Sequence, residues 1–256
     1  MANLRRISKS LWAFLFVLLV WQIVTSLHIW SSYVLPAPVK VWETFLIMLK
    51  RGELLEALWV SARRVAIGFS LAFVLAFLVS LVHILLPPLS PYYDKLLNIF
   101  RHIPPLSLVP LLILWFGIGE TPKIIVILLA SFFPMLLNID AGLAGCDQKL
   151  LEVGRILHFT PAQQLKKIML PYAIPNILVG MRIGIGYSLR AIIGAEMIAA
   201  SSGLGYLILD AQTMSRTDKA IVGIIFIGLL GLAIDYLFEL GMRYFLPYYH
   251  EVTSHV

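Results

Sequence analysis

The sequence predicts an all-α membrane protein with six transmembrane helices in a single domain, residues 1–256. Of its 256 residues, 60% are hydrophobic and 13% are charged, whereas soluble domains are about 45–50% apolar and about 25% charged. Six apolar stretches approach the roughly 20 residues that a helix needs to cross a bilayer, and a span of this kind must satisfy its backbone groups internally, as a helix does. The stretches are Leu11–Ile29, Val65–Leu86, Leu96–Phe116, Ile124–Leu143, Ile174–Ala200 and Ala220–Phe245.

The first stretch follows several basic residues, a pattern that signal peptides also have. The apolar run continues to Ile29 without a small-x-small cleavage site. We therefore expect a retained transmembrane helix. Between the first two stretches, Leu35–Pro38 is expected to be extended because proline restricts it and its neighbour. Val39–Leu58 is amphipathic, which is typical of a helix at the membrane surface.

The third stretch contains Pro104, Pro105 and Pro110. Each proline removes a backbone donor, so the helix is expected to be kinked or broken there. Two interpretations stay open: a kink that neighbouring helices tolerate, or irregular backbone that lines a cavity.

Gly145–Pro171 is the longest polar connection after the amphipathic segment, and we expect two short helices in it. Thr160 is placed as N-cap, Pro161 as the first helical residue, and Gln163 completes a capping box. The second helix is expected to end at Pro171. Such a helix pair is either a rigid docking element for another protein or an ordinary solvated connector.

The fifth stretch carries small residues and two charges. Gly180 and Gly184 have the spacing that lets helix backbones approach closely, so packing is the expected role. Arg190 and Glu196 lie about 240° apart around the helix and should not pair with each other. Arg190 either attracts an anion, pairs with a carboxylate on another helix, or reaches the interface. Glu196 is expected to make a structural hydrogen bond near the outer end.

Several classes of protein lack support in the sequence. There is no phosphate-binding loop of the Gly-x4-Gly-Lys-Ser/Thr type and no zinc-protease or serine-hydrolase motif. Basic residues are scattered, which suits membrane lipid and not nucleic acid. Cys146 is the only cysteine, so an internal disulfide is excluded. The histidines are too dispersed to suggest a metal site: His28, His83, His102, His158, His250 and His255.

The segment Leu150–Arg182 resembles the EAA loop of ABC-importer permeases. Glu152 and Ile168–Pro171 match that pattern in register, and Val153–Gly154 replaces its alanine pair. His158 stands where the pattern has glycine, so a backbone with positive φ is expected there, a conformation that histidine tolerates better than most residues.

Other segments are similar to the nitrate, sulfonate, taurine and bicarbonate branch of these permeases, which also includes permeases for vitamins and their precursors. The resemblance extends over roughly residues 34–245. The segments that carry it are Val34–Val41, Ser61–Phe69, Arg101–Glu120, Phe132–Asp140 and Ala195–Tyr206.

The resemblance implies the type I importer permease fold and a non-catalytic subunit that forms the path of a small solute, either an anion or a vitamin precursor. Its implied partners are a second permease copy in a homodimer, two ABC ATPase subunits that bind ATP and Mg²⁺, and an extracytoplasmic substrate-binding protein. This chain itself would hold no cofactor or metal. The alternative is an autonomous secondary transporter or channel, for which no inverted repeat or proton-relay carboxylates are evident.

The resemblance also implies roles for particular residues. Basic residues are almost equally distributed between the two sides, so charge alone does not fix the orientation; the resemblance places the N-terminus and the EAA loop, about residues 145–171, in the cytoplasm of a bacterial inner membrane. Arg190, Glu196 and Arg101 are candidates for the translocation path, although Arg101 could instead contact lipid. The candidate residues for coupling to the ATPase are Leu151, Glu152, Gly154, Arg155, His158 and Phe159.

Overall fold

A computed structural model describes residues 2–27 and 29–245, and within these ranges the regular secondary structure is entirely helical. His28, His250 and His255 lie outside the described residues. The helices are α1 (Ala2–Ser26), α2 (Pro38–Lys50), α3 (Glu53–Leu85), α4 (Ser90–Phe100), α5 (Val109–Phe116), α6 (Glu120–Ala144), α7 (Gln148–Ile156), α8 (Pro161–Gln164), α9 (Leu170–Ala199), α10 (Leu204–Thr213) and α11 (Thr217–Phe245).

The helices that could cross a membrane agree with the predicted class of fold. Among the described residues, four helices are long and apolar enough to cross: α3, α6, Pro161–Ala199 and most of α11. A bent pair, Pro91–Phe100 with Pro105–Phe116, makes a fifth, and α1 contains a shorter apolar helix at Leu15–Ser26. The all-helical membrane fold is confirmed, whereas the count of six is not reproduced by length and composition alone.

The third predicted span is a broken helix. Its two halves meet at 86°, and the backbone at Pro104 is extended between them. Pro104 and Pro105 explain the break, because each lacks a backbone donor and cannot continue the preceding helix; Pro110 lies in the first turn of α5, where a proline is tolerated. Residues of this break line cavities, which favours the second of the two interpretations given above.

The segment Val39–Leu58 is not a single surface helix. Gly52 adopts a positive φ of 78°, a conformation that ends helices. It separates α2 from α3, so the second span begins at Glu53 and not at Val65 as predicted. Val41, Thr44 and Met48 form the buried face of α2.

The second helix of the polar connection does not end at Pro171. It continues from α8 into α9 through a π-helical segment, Leu165–Met169, in which the Leu170 amide donates to the Leu165 carbonyl. The wider turn gives room for a proline that would clash with a carbonyl one turn earlier in an α-helix. One continuous element therefore joins the connection to the fifth span.

The chain divides into two compact units, Met1–Val60 with Ser201–Gly228, and Ser61–Ala200 with Leu229–Val256. Both units are discontinuous in sequence, so the division does not separate two successive domains. The prediction of a single domain stays a prediction. In the first unit the core contains Val41, Met48, Leu54 and Val222.

The core of the second unit is built around α6 and α9. A β-carbon at Gly180 would lie 2.7 Å from the β-carbon of Asn138, and one at Gly184 would lie 2.9 Å from Cγ of Met135. The two helices can approach this closely only because both positions lack a side chain. The predicted packing role of these glycines is confirmed.

Candidate functional site

Helix α7 is a capped surface helix in the connection between α6 and α9. The Asp147 carboxylate accepts a hydrogen bond of 2.9 Å from the Lys149 amide at its N-terminus. After Ile156 the chain turns, and the Phe159 amide donates to the Gly154 carbonyl at 2.9 Å. Backbone groups at both ends of α7 thus have local hydrogen-bond partners, which stabilise it as a helix with fixed ends.

His158 occupies the turn after α7 with a φ of 54°. The positive φ expected at this position is therefore present, and histidine adopts it in place of the usual glycine. Two residues later, Thr160 forms the predicted capping box with Gln163 at the start of α8. The turn between the two helices is consequently fixed from both sides.

Gly154 is the point at which α7 rests on the π-helical segment. It is buried, and a β-carbon there would lie 2.7 Å from Cδ1 of Ile168 and 3.6 Å from Cδ2 of Phe159. The Lys167 ammonium lies 4.7 Å from the centre of the Phe159 ring, a cation–π contact. These contacts brace α7 against the element that continues into α9.

One side of α7, adjoining Gly154, is apolar and exposed. Leu150, Val153, Ile156 and Leu157 are exposed to 44%, 51%, 75% and 58%, and their spacing places them on one side of the helix. Within the part of the chain that the structure describes, the side chains of Glu152 and Arg155, on the adjoining polar side of α7, have no hydrogen-bond or ion-pair partner. We name these four apolar residues the α7 face.

The sequence prediction named neighbouring residues but none of the four residues of the α7 face. Their helical spacing was the available signal, because apolar residues at positions i, i+3 and i+4 define one face. Of the predicted coupling residues, Gly154 is buried, Leu151 and Phe159 are partly buried, and Glu152, Arg155 and His158 are exposed. The buried ones therefore shape the helix and the exposed ones are available for contact.

A cavity of about 620 Å³ lies beside the break in the third span. Arg101 and His102 line it from the break, and Tyr187 and Arg190 line it from α9. The Arg190 guanidinium lies 5.6 Å from the centre of the Tyr187 ring. The structure thus brings Arg101 and Arg190, which are far apart in sequence, to one cavity.

The arginine-lined cavity has no acidic residue among its described lining residues. Arg190 is exposed and, in the described ranges, has no carboxylate partner, so the pairing with another helix that was considered above is not observed. A charged side chain within a membrane span is costly unless it faces protein or water. Two arginine side chains in a described lining without carboxylates give the cavity the chemistry of an anion site.

Glu196 lies outside that cavity in a separate buried network. Its carboxylate is 2.7 Å from Nη1 of Arg64 and accepts from the Ser61 hydroxyl at 2.8 Å. Arg64 also pairs with Glu120 at 2.7 Å, and Lys123 reaches Glu120 at 3.1 Å. The network joins α3, α6 and α9, which agrees with the structural hydrogen bond expected for Glu196.

Comparisons with known proteins place the chain among transport proteins. Residues 85–247 match the family described as binding-protein-dependent transport system inner membrane component. The putative aliphatic sulfonates transport permease protein of Bacillus subtilis is 39% identical, over 86% of this chain and 79% of that protein. The taurine transport system permease protein of Escherichia coli is 33% identical, over 93% and 87%. The nitrate import permease protein of Synechocystis is 34% identical, over 86% and 82%.

Solved structures share the fold at low identity. A chain of the inward-facing MetNI methionine ABC transporter has a TM-score of 0.67 at 18% identity, with 76% of this chain and 96% of that chain covered. A chain of an amino acid ABC transporter solved with histidines has a TM-score of 0.66 at 19% identity, with 78% and 97% covered.

Proposed function

The chain belongs to the family of binding-protein-dependent transport system inner membrane components. On that premise we propose that this ABC-importer permease forms the path of a small anion, and that α7 transmits the conformational change of the ATPase to the membrane spans. The family membership confirms the resemblance to the sulfonate, taurine and nitrate branch. It also makes the chain a membrane-spanning transport subunit. ATP and Mg²⁺ are then bound by a partner, since this sequence has no phosphate-binding loop.

The α7 face is the observation that carries the coupling assignment. An exposed apolar face on a braced, capped helix outside the spans is typical of a protein contact. Glu152 and Arg155 beside it supply charges that a partner can pair. In this proposal Leu151, Gly154, His158 and Phe159 hold the helix at the angle that the ATPase groove requires.

Continuity of the backbone supports the transmission step. The capping box, the π-helical segment and α9 form one element, and Gly154 rests on it. A displacement of α7 would therefore move α9, which carries Arg190. This mechanical link joins the docking surface to the arginine-lined cavity.

The arginine-lined cavity is proposed to be part of the translocation path. Aliphatic sulfonates, taurine and nitrate, which the relatives' names give as their solutes, all carry an anionic oxygen group. Paired guanidinium groups suit such oxygens. Glu196 is assigned to the wall of the path, where it fixes α9 to α3 through Arg64.

The proposed assembly is a homodimer of this chain with two ATPase subunits and an extracytoplasmic binding protein. It lies in a bacterial inner membrane with the N-terminus and the EAA loop in the cytoplasm. The resemblance of the loop to the EAA loop supports this orientation, because the ATPase subunits with which that loop couples are cytoplasmic.

Co-purification with the ATPase tests the coupling assignment. Replacing Val153 and Ile156 together by Asp should abolish recovery of the ATPase with the permease and ATP-dependent uptake of labelled taurine or alkanesulfonate. Ala162→Asp, at an exposed position of α8 in the same loop, is the control and should retain both. If the double variant assembles and imports as the wild type does, the coupling assignment is wrong. Uptake by the chain alone under an ion gradient would establish the alternative of a secondary transporter.

A further inference from the structure

The arginine-lined cavity is apolar over most of its wall. Of its fourteen described lining residues, ten are apolar. Helix α6 contributes Phe133, Pro134 and Leu137 to this wall, and α9 contributes Ile183. The polar members of the described lining are Arg101, His102, Tyr187 and Arg190. The cavity therefore combines guanidinium groups with a hydrocarbon surface.

The packing of α6 on α9 shows how these groups are arranged along the cavity. The two glycine contacts described above occur in reverse order along α6, so the helices are antiparallel. Arg190 lies at the level of Ala130, because its neighbour Ala191 packs in one cluster with Ala130. Ile183 precedes Arg190 by seven residues, or about 10 Å of helix. Leu137 follows Ala130 by the same distance, so the apolar wall extends from Arg190 towards the connection that contains α7.

Arg101 lies towards the opposite end of the cavity from Arg190. It also lines a neighbouring cavity of about 420 Å³, together with Leu137 and Asp140. Asp140 is not among the described lining residues of the arginine-lined cavity, and its carboxylate lies 2.9 Å from Nδ1 of His83. The arginine-lined cavity thus has one arginine towards each end and an apolar wall between them.

This arrangement distinguishes solutes by what accompanies their anionic group. An oxyanion bound to one arginine places the rest of the solute along the apolar wall, towards the second arginine. A hydrocarbon tail buries apolar surface there, which is worth about fourfold in affinity for each methylene group. An ammonium group would lose its water without a carboxylate partner in the described lining, and it would face a like charge. An anion without a tail leaves the wall uncovered.

We propose that the path accepts organic anions with a sulfonate or carboxylate head and an uncharged apolar tail, and that it disfavours zwitterions of the same size. The inference rests on the proposed assignment of the arginine-lined cavity to the translocation path. The selection acts in addition to that of the separate binding protein.

Protection of a cysteine in the wall from a thiol reagent tests the selection in the absence of the binding protein. The full-length permease with Cys146→Ala and Ile183→Cys, in lipid nanodiscs at neutral pH, is treated with N-ethylmaleimide at increasing solute concentration. Butane-1-sulfonate and 3-aminopropane-1-sulfonate are the matched solutes, since they share length and head group and differ in a methyl against an ammonium group. Butane-1-sulfonate should protect at a concentration lower by about tenfold or more than either 3-aminopropane-1-sulfonate or nitrate requires.

A carboxylate placed in the wall should weaken this preference. In the same background, Leu137→Asp either pairs with the ammonium group or neutralises Arg101, and both effects favour the zwitterion. The ratio of the two protecting concentrations should therefore fall by about tenfold. Leu137→Asn has the same size without the charge and should leave the ratio within about twofold of its original value. Lys149→Cys on α7, used in place of Ile183→Cys, should be protected by none of the solutes.

The possible outcomes separate this inference from the function on which it rests. Equal protection by the two sulfonates, or better protection by the zwitterion, overturns the selection but leaves the assignment of the cavity to the path intact. Protection of Ile183→Cys by none of the solutes overturns both. An unchanged ratio in Leu137→Asp, with thermal unfolding like that of the parent, also overturns the selection. If that variant does not fold, the comparison of the solutes in Ile183→Cys alone decides.

Discussion

The guanidinium of Arg64 lies 2.7 Å from the carboxylate of Glu196, and both side chains are almost completely buried. The pair joins α3 to α9 inside the second unit. Glu120 at the start of α6 shares the same guanidinium. The Arg64 guanidinium therefore connects α3, α6 and α9.

Removing the carboxylate of this pair should destabilise the protein strongly. Glu196→Ala removes one of the two carboxylates that pair with the buried Arg64 in the described part of the chain, and breaking a buried ion pair costs about 3–5 kcal/mol. Ser61→Ala removes one hydrogen bond to the same carboxylate and should cost about 1–2 kcal/mol. Thermal unfolding in detergent should rank wild type above Ser61→Ala and that above Glu196→Ala. An unchanged unfolding temperature for Glu196→Ala would contradict the structural role.

Substitution of Gly154 should impair coupling more as the new side chain becomes larger. The closest contact of an alanine β-carbon would be the end of the flexible Ile168 side chain, and its contacts with Gln164 and Phe159 would be ordinary, so Gly154→Ala should retain most uptake. Gly154→Val adds two methyl groups at the same contact and should displace α7, at about 1–3 kcal/mol of overpacking. ATPase co-purification and uptake measure the effect, and Gly186→Val, at a position with no close neighbour, is the control. Equal behaviour of the alanine and valine variants at Gly154 would argue against the close contact.

The turn at His158 should accept glycine and reject β-branched residues. A left-handed backbone costs a residue with a β-carbon about 1–2 kcal/mol, so His158→Gly should be neutral or more stable by up to about 1 kcal/mol. His158→Val should be less stable than the wild type. Thermal unfolding measures both variants. The opposite order would mean that the imidazole itself, and not the backbone, determines this position.

Neutralising Arg190 should reduce import more than neutralising Arg182. Arg182 on the same helix is already paired with Asp235, whereas Arg190 faces the arginine-lined cavity. We expect Arg190→Gln to lower the initial rate of anion uptake about tenfold or more, the effect of losing one charged hydrogen bond. Arg190→Lys should retain an intermediate rate, and Arg182→Gln should remain near the wild type. Equal reductions of the uptake rate by Arg190→Gln and Arg182→Gln would contradict the assignment of Arg190 to the translocation path.

Cys146 should react slowly with thiol reagents. Burial, with a smaller contribution from Asp147, raises the pKa of its thiol. A raised pKa lowers the thiolate fraction at any given pH, so reactivity appears only as the pH rises towards it. Lys149→Cys, at an exposed position of α7, should be modified by N-ethylmaleimide at least about tenfold faster at neutral pH.

The same labelling measures the orientation of the loop. In a Cys146→Ala background, Lys149→Cys should be protected from a membrane-impermeant maleimide in intact cells and accessible in inside-out vesicles. Rapid labelling in intact cells would place α7 outside and contradict the proposed coupling.

Local features of this protein are readable in its sequence. Apolar length predicted the spans α3, α6 and α11, and three closely spaced prolines predicted the break after α4. The capping box at Thr160 and the positive φ at His158 followed from residue types at fixed offsets. Each of these depends on the preferences of a few neighbouring residues, which a single sequence contains.

Packing decided the remainder. Arg64 pairs with Glu196 across 132 positions of the chain. Arg101 and Arg190 line one cavity only because the break and α9 both border it. His83 looked like an isolated histidine until α4 and α6 brought two carboxylates to it. Such charge pairs depend on which helices pack against each other. Helix periodicity predicts only the face of its own helix on which a residue lies. The continuation of α8 through Pro171 was likewise not predicted, because it depends on a π-helical turn, Leu165–Met169, that the preferences of single residues do not indicate.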